Sequence, residues 1–255
     1  MGELTGKTII VTGASKGIGA AIAKHVAHLG AHVIAHFGAD RVGAEAALKA
    51  CPAERKRFIG CNFGDPPAAD AFWQEAEAWR GRIDALVANA AVMLPGSGIE
   101  DTDAEWDRVW DETLRVNVLS PSRLMRAAVR HYLAHGGGAI VTLTSWVTHR
   151  GSSVPDALAY AASKAAISAV TKTIARTYAR DNIAAYCVSP GVVRTRMSEE
   201  AAAAQGGEAA VAAGLTMGEW VPPEDIAEVV GFLCAGRSRH LTGATIDVNG
   251  ASYVR

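Results

Sequence analysis

The stretch TIIVTGASKGIGAAIAKHVAHLG, residues 8–30, joins a β-rich run to a helical pattern through a loop that contains three glycines. The run TIIV predicts a buried strand, and the apolar spacing that follows predicts a helix that ends at Gly30. Glycine suits positions 13, 17 and 19 because a tight turn between a strand and a helix can require positive φ, which glycine adopts at little energetic cost. This order of strand, glycine loop and helix predicts the first unit of an α/β fold.

The T-G-x-x-x-G-x-G spacing of this loop also predicts a site for a dinucleotide pyrophosphate. Glycines let the backbone approach a ligand closely, and the helix N-terminus presents free N–H groups and the positive end of its dipole. A glycine loop alone indicates little, but its position between a first strand and an apolar helix strengthens the prediction. A tight turn that binds no ligand is the alternative interpretation.

The rest of the chain continues the alternation of short apolar runs and helical patterns. Further strands are predicted at residues 31–37, 56–63, 83–92, 138–145, 183–191 and 245–250. One long helix is predicted over residues 104–134. Because helices alternate with strands that are apolar on both faces, we expect an α/β fold with a doubly wound, seven-stranded parallel sheet. No linker or repeat divides residues 1–255, so a single domain is predicted.

Composition and charge narrow the classes of function. Apolar residues make up 49% and charged residues 20%, and the net charge of -1 gives no electrostatic footprint for nucleic acid or an anionic membrane. No apolar run has the length of a transmembrane helix, and the N-terminus lacks the charged and apolar regions of a signal peptide. We therefore expect a cytoplasmic protein that binds neither nucleic acid nor membrane.

Neither the cysteines nor the histidines form a ligand pattern for a metal ion. The four cysteines contain no C-x-x-C pair and are widely spread, which favours free thiols in a reducing compartment. Residues His25, His28, His32 and His36 span the first helix and the second strand, but no acid or cysteine joins them at ligand spacing. No metal site is predicted.

The end of the second strand indicates which nicotinamide cofactor the loop prefers. An acidic residue there would bind the adenosine ribose of NAD, but Phe37 occupies that position and Asp40 comes slightly late. Lys16 lies inside the glycine loop, where it could reach a 2′-phosphate, and Arg41 could assist it. We therefore expect NADP, with NAD as the second choice. Solvated surface charges are the alternative interpretation for the two basic residues.

Motifs along almost the whole chain resemble those of the short-chain dehydrogenase/reductase family. TGASKGIG at 12–19 is similar to the family's cofactor loop, ANAA at 88–91 stands where N-N-A-G is usual, and Tyr160 with Lys164 matches Y-x-x-x-K. SPGVVRT at 189–195 matches the P-G-x-x-x-T loop, and PPEDIAEVVGFL with LTGATIDVNG matches the C-terminal pattern. The resemblance implies a single-domain Rossmann fold and an NAD(P)-dependent oxidoreductase.

The resemblance also implies hydride transfer between the nicotinamide and the carbon of a carbonyl or secondary alcohol. Tyr160 would donate the proton, and Lys164, one helical turn away, would lower the pKa of that phenol and hold the nicotinamide ribose. Ser145 would polarise the substrate oxygen. Asn117 is implied to hold a water that links Lys164 to solvent.

The matched motifs imply which residues contact the cofactor. They are Gly13, Ser15, Lys16, Gly17, Ile18, Gly19, Phe37, Asn62, Phe63, Asn89, Ala90, Ala91, Tyr160, Lys164, Pro190, Gly191, Val193 and Thr195. The chain departs from the family pattern at Ala88 and Ala91, which replace an asparagine and a glycine. It also departs at Asn62, where the family often has an aspartate that faces adenine, although an amide oxygen could still accept from the adenine amino group.

The substrate side of the site is less well marked. The loop between strand five and the Y-x-x-x-K motif is slightly longer than usual for the family and predicts an enlarged pocket wall. Trp146, His149 and Met197 are candidate substrate contacts, although a solvated histidine and ordinary apolar packing are the alternatives. Residues 195–220 are rich in alanine and glycine. They predict either a lid over the site or ordinary helix and loop.

Several substrates and two other functions remain open from the sequence. A 3-oxoacyl thioester, a ketone, and a sugar or polyol fit the implied chemistry equally. The alternatives are a non-catalytic NADP(H)-binding redox sensor and a related epimerase or dehydratase. Intact Ser145, Tyr160 and Lys164 argue against a sensor, because a sensor needs no proton donor. The resemblance further implies a homotetramer that acts on a small-molecule substrate.

Overall fold

The computed structural model describes residues 2–203 and 205–254, and their strands form one parallel sheet. The strands are β1 Thr8–Val11, β2 His32–Phe37, β3 Lys56–Gly60, β4 Ala85–Ala88, β5 Gly138–Leu143, β6 Ile183–Pro190 and β7 Thr245–Val248. Their order in the sheet is β3-β2-β1-β4-β5-β6-β7. The predicted seven-stranded, doubly wound parallel sheet is therefore confirmed.

Helices cover both faces of this sheet, as predicted. They are α1 Gly17–His28, α2 Arg41–Ala47, α3 Ala68–Arg80, α4 Asp103–Leu114, α5 Ser120–His135, α6 Val147–Arg150, α7 Leu158–Tyr178, α8 Arg196–Ala203, α9 Glu208–Ala213 and α10 Pro223–Ala235. A hydrophobic cluster under α1 and α10 contains Ile9 and Val11, and a second cluster under α3, α5 and α7 contains Ile10. Strand residues alternate between two buried faces, which explains why the strands are apolar throughout.

The order of the strands places a crevice at one edge of the sheet. The chain passes from β1 outward to β2 and β3, and then returns to place β4 on the other side of β1. In open parallel sheets, ligands bind outside the carboxyl ends of the strands where the order reverses in this way. The glycine loop follows β1 directly, so the sheet topology places it at this crevice. The loops after β4, β5 and β6 meet at the same edge.

The helix predicted over residues 104–134 is present, but it is not one continuous α-helix. Between α4 and α5 the chain forms a π-helical segment over Arg115–Leu119, with the Ser120 N–H bonded to the Arg115 carbonyl. Pro121 has no N–H to donate to the Asn117 carbonyl four residues earlier, which breaks the α-helical hydrogen-bond pattern at this point. The predicted site residue Asn117 therefore lies in an irregular turn within a long helix.

Between β6 and α10 the chain leaves the sheet and forms the short helices α8 and α9. An isolated parallel bridge between Val193 and Val221 joins the two ends of this excursion. The Val221 N–H donates to the Val192 carbonyl at 2.8 Å, and the Arg194 N–H donates to the Val221 carbonyl at 3.0 Å. The predicted lid segment, residues 195–220, is therefore joined at its two ends beside the sheet, and Thr216 also bonds Ala251 and Ser252, at 3.3 and 3.1 Å.

Three further features bear on the predicted class of protein. No helix within residues 2–203 and 205–254 is long and apolar enough to cross a membrane. In the same part of the chain, no three His, Cys, Asp or Glu side chains are grouped so that they could hold a metal ion. The cysteines are free, and burial raises the pKa of the Cys61 thiol to about 11 and that of Cys234 to about 12.

Candidate active site

The glycine loop after β1 forms a cradle that is lined by backbone. Gly13 and Gly17 have φ values of 67° and 55°, in the left-handed region that favours glycine. A Cβ at Gly19 would collide with the Gly13 carbonyl oxygen, and a Cβ at Gly17 would lie 3.0 Å from Cγ2 of Thr195. Because side chains are excluded here, the N–H groups at the start of α1 can face a pyrophosphate, and the loop fits a dinucleotide.

Thr12 and Asn89 tie the glycine loop to the end of β4. Thr12 Oγ1 donates to the Val87 carbonyl at 3.2 Å and accepts from the N–H groups of Asn89 and Ala90 at 2.9 and 3.0 Å. The Asn89 amide nitrogen donates to the carbonyls of Thr12 and Gly13 at 2.8 and 3.3 Å. Asn89, a predicted cofactor contact, therefore also sets the shape of the glycine loop.

His36 on β2 is a second tie to the glycine loop, and sequence reasoning missed it. Its Nδ1 accepts from the Gly13 N–H at 3.0 Å, and its Nε2 lies 3.0 Å from the Cys61 carbonyl. The buried ring stacks on Phe63, with the centroids 4.0 Å apart, and meets Phe72 edge-on. Since Nδ1 accepts, the ring proton is on Nε2, and a neutral imidazole joins the glycine loop to the loop after β3.

Burial also keeps this imidazole neutral. It lowers the pKa of His36 from 6.5 to about 4, although the hydrogen bond to the Cys61 carbonyl acts in the opposite direction. A proton added at Nδ1 would in addition face the Gly13 N–H. The sequence carried one signal for this role, which is a polar residue inside the apolar run of β2.

The residues after β2 are engaged with the protein itself. The Phe37 ring covers Gly60 of β3, where an added Cβ would lie 2.9 Å from it. Asp40 caps the N-terminus of α2, and its carboxylate accepts from the Gly43 N–H at 2.8 Å. Ser15 Oγ donates to the Asp40 carbonyl at 2.5 Å and so joins the glycine loop to the start of α2. Asp40 thus serves as a helix cap.

The basic residues that were predicted to favour NADP differ in their surroundings. Arg41 is exposed and pairs with Glu45 at 2.8 Å, one turn along α2. Lys16 is exposed at the N-cap position of α1, beside the glycine cradle. Asn62, the predicted adenine contact, accepts the Gly64 N–H at 2.9 Å through its amide oxygen. One lone pair of that oxygen is therefore used in a local turn.

The predicted catalytic side chains converge where β5 and α7 meet. Ser145 follows β5, and its side chain lines the same cavity as Tyr160, near enough to act on the pKa of that phenol. Lys164 is buried one turn further along α7, with Nζ 5.7 Å from the centroid of the Tyr160 ring. Its Nζ donates to the Leu143 carbonyl at 2.9 Å. The arrangement brings a phenol, a serine hydroxyl and an ammonium group close together, as the predicted roles of these residues require.

Removal from water dominates the ionisation of this cluster. Burial raises the pKa of Tyr160 to about 12, and the neighbouring Ser145 hydroxyl acts in the opposite direction. Burial lowers the pKa of Lys164 from 10.5 to about 8. The expectation that Lys164 lowers the pKa of Tyr160 is not met by these residues alone, because desolvation of the phenol is the larger effect.

Asn117 has a full set of partners inside the protein. Its Oδ1 accepts the Val92 N–H at 2.8 Å, and its Nδ2 donates to the Val92 carbonyl at 2.8 Å and to Ser163 Oγ at 3.0 Å. Ser163 Oγ in turn donates to the Tyr160 carbonyl at 2.7 Å. The side chain thus joins the loop after β4 to the catalytic turn of α7.

The loop after β6 closes the far side of the site. The Pro190 carbonyl accepts the Trp146 N–H at 3.0 Å, and the Gly191 N–H donates to the Val248 carbonyl at 3.0 Å. Thr195 directly precedes α8, and its carbonyl accepts the Glu199 N–H from the first turn of that helix at 2.9 Å. The topology brings further predicted cofactor contacts to this same sheet edge: Ile18, Phe63, Ala90, Ala91 and Val193.

A cavity of about 160 Å³ opens beside the catalytic hydroxyls of Ser145 and Tyr160. Trp146 and Met197, two of the predicted substrate contacts, line this cavity. His149, the third, is exposed on α6 and lies outside the lining. The lid segment contributes part of the wall through α8 and α9.

Arg150 lines the same cavity, and sequence reasoning did not select it. It is the last residue of α6, which begins directly after Ser145 and Trp146. Its guanidinium carbon lies 4.6 Å from the centroid of the Trp146 ring, a cation–π arrangement. The sequence signal was one basic residue in the longer loop between strand five and the Y-x-x-x-K motif.

Comparison with known proteins agrees with this geometry. A family model described as enoyl-(acyl carrier protein) reductase matches residues 13–251. The human dehydrogenase/reductase SDR family member 4 is 32% identical over 254 residues, covering 99% of this chain and 89% of the relative. A 3-oxoacyl-[acyl-carrier-protein] reductase of Rickettsia conorii is 31% identical over 248 residues, covering 97% of each chain.

A solved structure extends the likeness to the fold. The crystal structure of a candidate NAD(P)-dependent gluconate 5-dehydrogenase from Beutenbergia cavernae, with bound NADP, has a TM-score of 0.88 and 31% identity. It covers 98% of this chain and 97% of its own. The glycine cradle, the catalytic cluster and these likenesses agree. The chain belongs to the short-chain dehydrogenase/reductase family and is an NAD(P)-dependent oxidoreductase.

Proposed function

We propose that the protein reduces the carbonyl group of a small or medium-sized substrate to a secondary alcohol, with NADPH as the preferred cofactor. The observation that carries this proposal is that the side chains of Ser145 and Tyr160 line one wall of the same cavity. A redox sensor needs no proton donor that faces a cavity, so the pair favours turnover. Net consumption of the cofactor would separate this reaction from an epimerase or dehydratase.

The preference for NADPH is supported by the residues after β2. Phe37 covers β3 and the Asp40 carboxylate caps α2, so neither offers a free acid to an adenosine ribose. Lys16 is exposed beside the glycine cradle, where its ammonium can meet a 2′-phosphate. The Beutenbergia cavernae protein was crystallised with NADP. NAD remains the second choice.

We assign the parts of the dinucleotide to the crevice at the carboxyl ends of the strands. The glycine loop would hold the pyrophosphate, Asn62 and Phe63 the adenine, and residues 190–195 the nicotinamide end. The bound cofactor would supply a hydride to the carbonyl carbon. The protein supplies orientation and the proton.

Ser145 and Tyr160 act on the substrate oxygen. The Ser145 hydroxyl donates a hydrogen bond as negative charge develops there, and Tyr160 transfers its proton to the same oxygen. A hydride at carbon and a proton at oxygen together convert the carbonyl to an alcohol. The raised pKa of Tyr160 keeps its hydroxyl protonated at neutral pH, which a proton donor for reduction requires.

Lys164 and Asn117 help to reprotonate Tyr160 after it has donated its proton. Lys164 has a pKa of about 8, so its ammonium can lose and regain a proton near neutral pH. The Asn117 side chain is occupied by Val92 and Ser163. Its main-chain carbonyl receives no N–H from Pro121, and we assign the expected water-holding role to that carbonyl.

The lid segment, residues 195–220, belongs in this proposal to the single domain of residues 1–255. Its α8 and α9 supply part of the cavity wall, and the Val193–Val221 bridge closes its base. Its further hydrogen bonds, from Thr216 to Ala251 and Ser252, are exposed, so α8 and α9 can change position with little effect on the sheet. We propose that it covers the substrate.

We further propose a homotetramer in the cytoplasm. Leu119 and Leu133 are 50% and 49% exposed on the α4–α5 helix, so apolar surface remains available for a second copy of the chain. Free, buried cysteines fit a reducing compartment. The substrate class remains open among the thioester, ketone and sugar types.

The proposed function is tested by following NADPH oxidation with a panel of carbonyl compounds, and by replacing the proton donor. Tyr160→Phe should lower turnover by about a thousandfold while NADPH binding stays within about twofold. Tyr178→Phe, at the other end of α7, is the matched control and should keep full activity. Retained turnover in Tyr160→Phe would exclude Tyr160 as the donor.

A further inference from the structure

The cavity beside the hydroxyls of Ser145 and Tyr160 is lined by a basic residue but by no described acidic one. Its lining combines apolar side chains with small polar ones, and the charged residue among the described lining residues is Arg150. No aspartate or glutamate of residues 2–203 and 205–254 contributes to this wall. Arg150 is itself exposed, so water solvates its guanidinium in the free protein, and a substrate anion that enters the cavity can replace that water.

The guanidinium of Arg150 is positioned but not neutralised. Its recorded contact is the face of the Trp146 indole, at 4.6 Å from the ring centroid. Within the part of the chain that the structure describes, the guanidinium of Arg150 forms no ion pair or hydrogen bond. Stacking on Trp146 restrains the side chain and leaves its N–H donors available for an oxyanion.

Arg150 is also held at a fixed place relative to the catalytic serine. The Thr148 N–H donates to the Ser145 carbonyl at 3.0 Å, and the Gly151 N–H closes the single turn of α6 at 3.0 Å from the Val147 carbonyl. Gly151 then ends the turn with φ 72°. One short turn therefore links the hydroxyl that meets the substrate oxygen to the guanidinium.

We infer that the substrate is an anion, namely a compact oxo acid whose carboxylate binds Arg150 while its carbonyl oxygen meets Ser145 and Tyr160. This inference rests on the proposed carbonyl reduction and specifies its substrate class. A single arginine matches one negative charge, which favours a carboxylate over a phosphate dianion. The planar fork of guanidinium donors fits both carboxylate oxygens at once. The cavity volume of about 160 Å³ suits a small substrate.

The test compares short oxo acids with their methyl esters, which keep the carbon skeleton and the ketone but lack the charge. Initial rates of NADPH oxidation give kcat/KM for each pair. We expect the acid to exceed its ester by about tenfold or more. Arg150→Gln should remove this preference, mainly through a higher KM for the acid. The same variant should leave kcat/KM for the ester within about twofold of the wild-type value.

Two variants separate charge recognition from damage to the fold. Arg150→Lys should retain part of the preference, because it keeps the charge and loses the planar fork. Arg239→Gln, in the turn before β7 at the opposite edge of the sheet, should behave as the wild type. Phosphate-bearing ketones form another arm, and a preference for them over oxo acids would overturn the assignment to a carboxylate.

The outcomes also separate this inference from the proposed function. Turnover of neutral ketones or esters with no advantage for the acid would refute the anion and leave carbonyl reduction intact. An equal loss of kcat/KM for the acid and the ester in Arg150→Gln would refute Arg150 as the anion-binding residue. Binding of acids and esters by calorimetry in the presence of NADP gives a second readout. Equal affinity for both, with no turnover of any carbonyl, would refute both proposals.

Discussion

Burial controls the ionisation of the side chains at this site more than neighbouring charge does. It raises the pKa of Tyr160 to about 12, lowers that of Lys164 to about 8 and lowers that of His36 to about 4. Each shift favours the neutral form, as removal from water must. A protonated phenol and a neutral imidazole are the forms that proton donation and the tie to the glycine loop require.

Lys16 offers a direct test of the cofactor preference at the residue scale. Lys16→Ala should weaken NADPH binding by about tenfold and leave the affinity for NADH within about twofold. The reason is that the Lys16 ammonium contacts only the 2′-phosphate, which NADH lacks. Fluorescence titration of both cofactors measures the two affinities. Lys24→Ala, another exposed lysine on α1, is the control and should change neither. An equal loss for both cofactors would show that Lys16 does not recognise the 2′-phosphate.

His36 predicts a defined dependence of stability on pH. Its pKa is depressed in the folded protein, so the unfolded chain binds the extra proton first as the pH falls below 6.5. The free energy of unfolding should therefore decrease between pH 6.5 and about 4, by about 3 kcal/mol from this group. At lower pH, where both states carry the proton, this contribution should level off.

The variant His36→Asn isolates that contribution. Denaturant unfolding at several pH values should give the wild type a larger free energy of unfolding than the variant at pH 7. The gap between the two free energies should narrow as the pH falls to about 4. His28→Asn, an exposed histidine on α1, corrects for the general effect of replacing a histidine. A gap that stays constant across this range would contradict the assignment.

At the scale of elements, irregular segments position two of the candidate site residues, Asn117 and Arg150. The π-helical Arg115–Leu119 places Asn117 against the loop after β4. The single turn of α6 places Arg150 beside Ser145. The first lies where Pro121 interrupts a long helix, and the second is a single turn after β5 that Gly151 ends. The strands and long helices hold these turns in place.

The lid segment provides the prediction at this scale. Replacing α9, Glu208–Ala213, with a Gly-Ser loop of equal length removes part of the cavity wall and the Arg194–Glu208 ion pair. We expect KM for the carbonyl substrate to rise by about fivefold and NADPH affinity to change by less than about twofold. The same replacement of the turn Ala179–Asp181 is the control. A larger effect on NADPH than on the carbonyl would mean that the segment is not a substrate lid.

At the scale of the whole molecule, the open question is assembly. If the α4–α5 helix packs against a second copy, light scattering should give about four times the 26.6 kDa of the chain. Leu119→Arg should then reduce the measured mass, because a charge would be buried at the contact. Val42→Arg, on the exposed surface of α2, is the control. A monomer in the wild type would refute the tetramer.

The sequence by itself determined the sheet, the glycine loop and the group of Ser145, Tyr160 and Lys164. Strand and helix periods are local properties, and the turn chemistry of glycine is local as well, so both can be predicted from a single chain. The NAD(P)-dependent oxidoreductase assignment followed from motifs that the comparisons confirm. The long helix predicted over 104–134 is present, but its π-helical centre was not predicted, because a proline at one position changes hydrogen bonds several residues away.

Only the tertiary structure decided what depends on neighbours from distant parts of the chain. His36 is a polar residue in a strand until the Gly13 N–H and the Cys61 carbonyl are seen on either side of its ring. Arg150 is an ordinary loop arginine until its cavity is seen to contain no described acid. Such roles arise from burial and from long-range contacts, which sequence spacing does not encode, because desolvation and pairing depend on what surrounds a group in space.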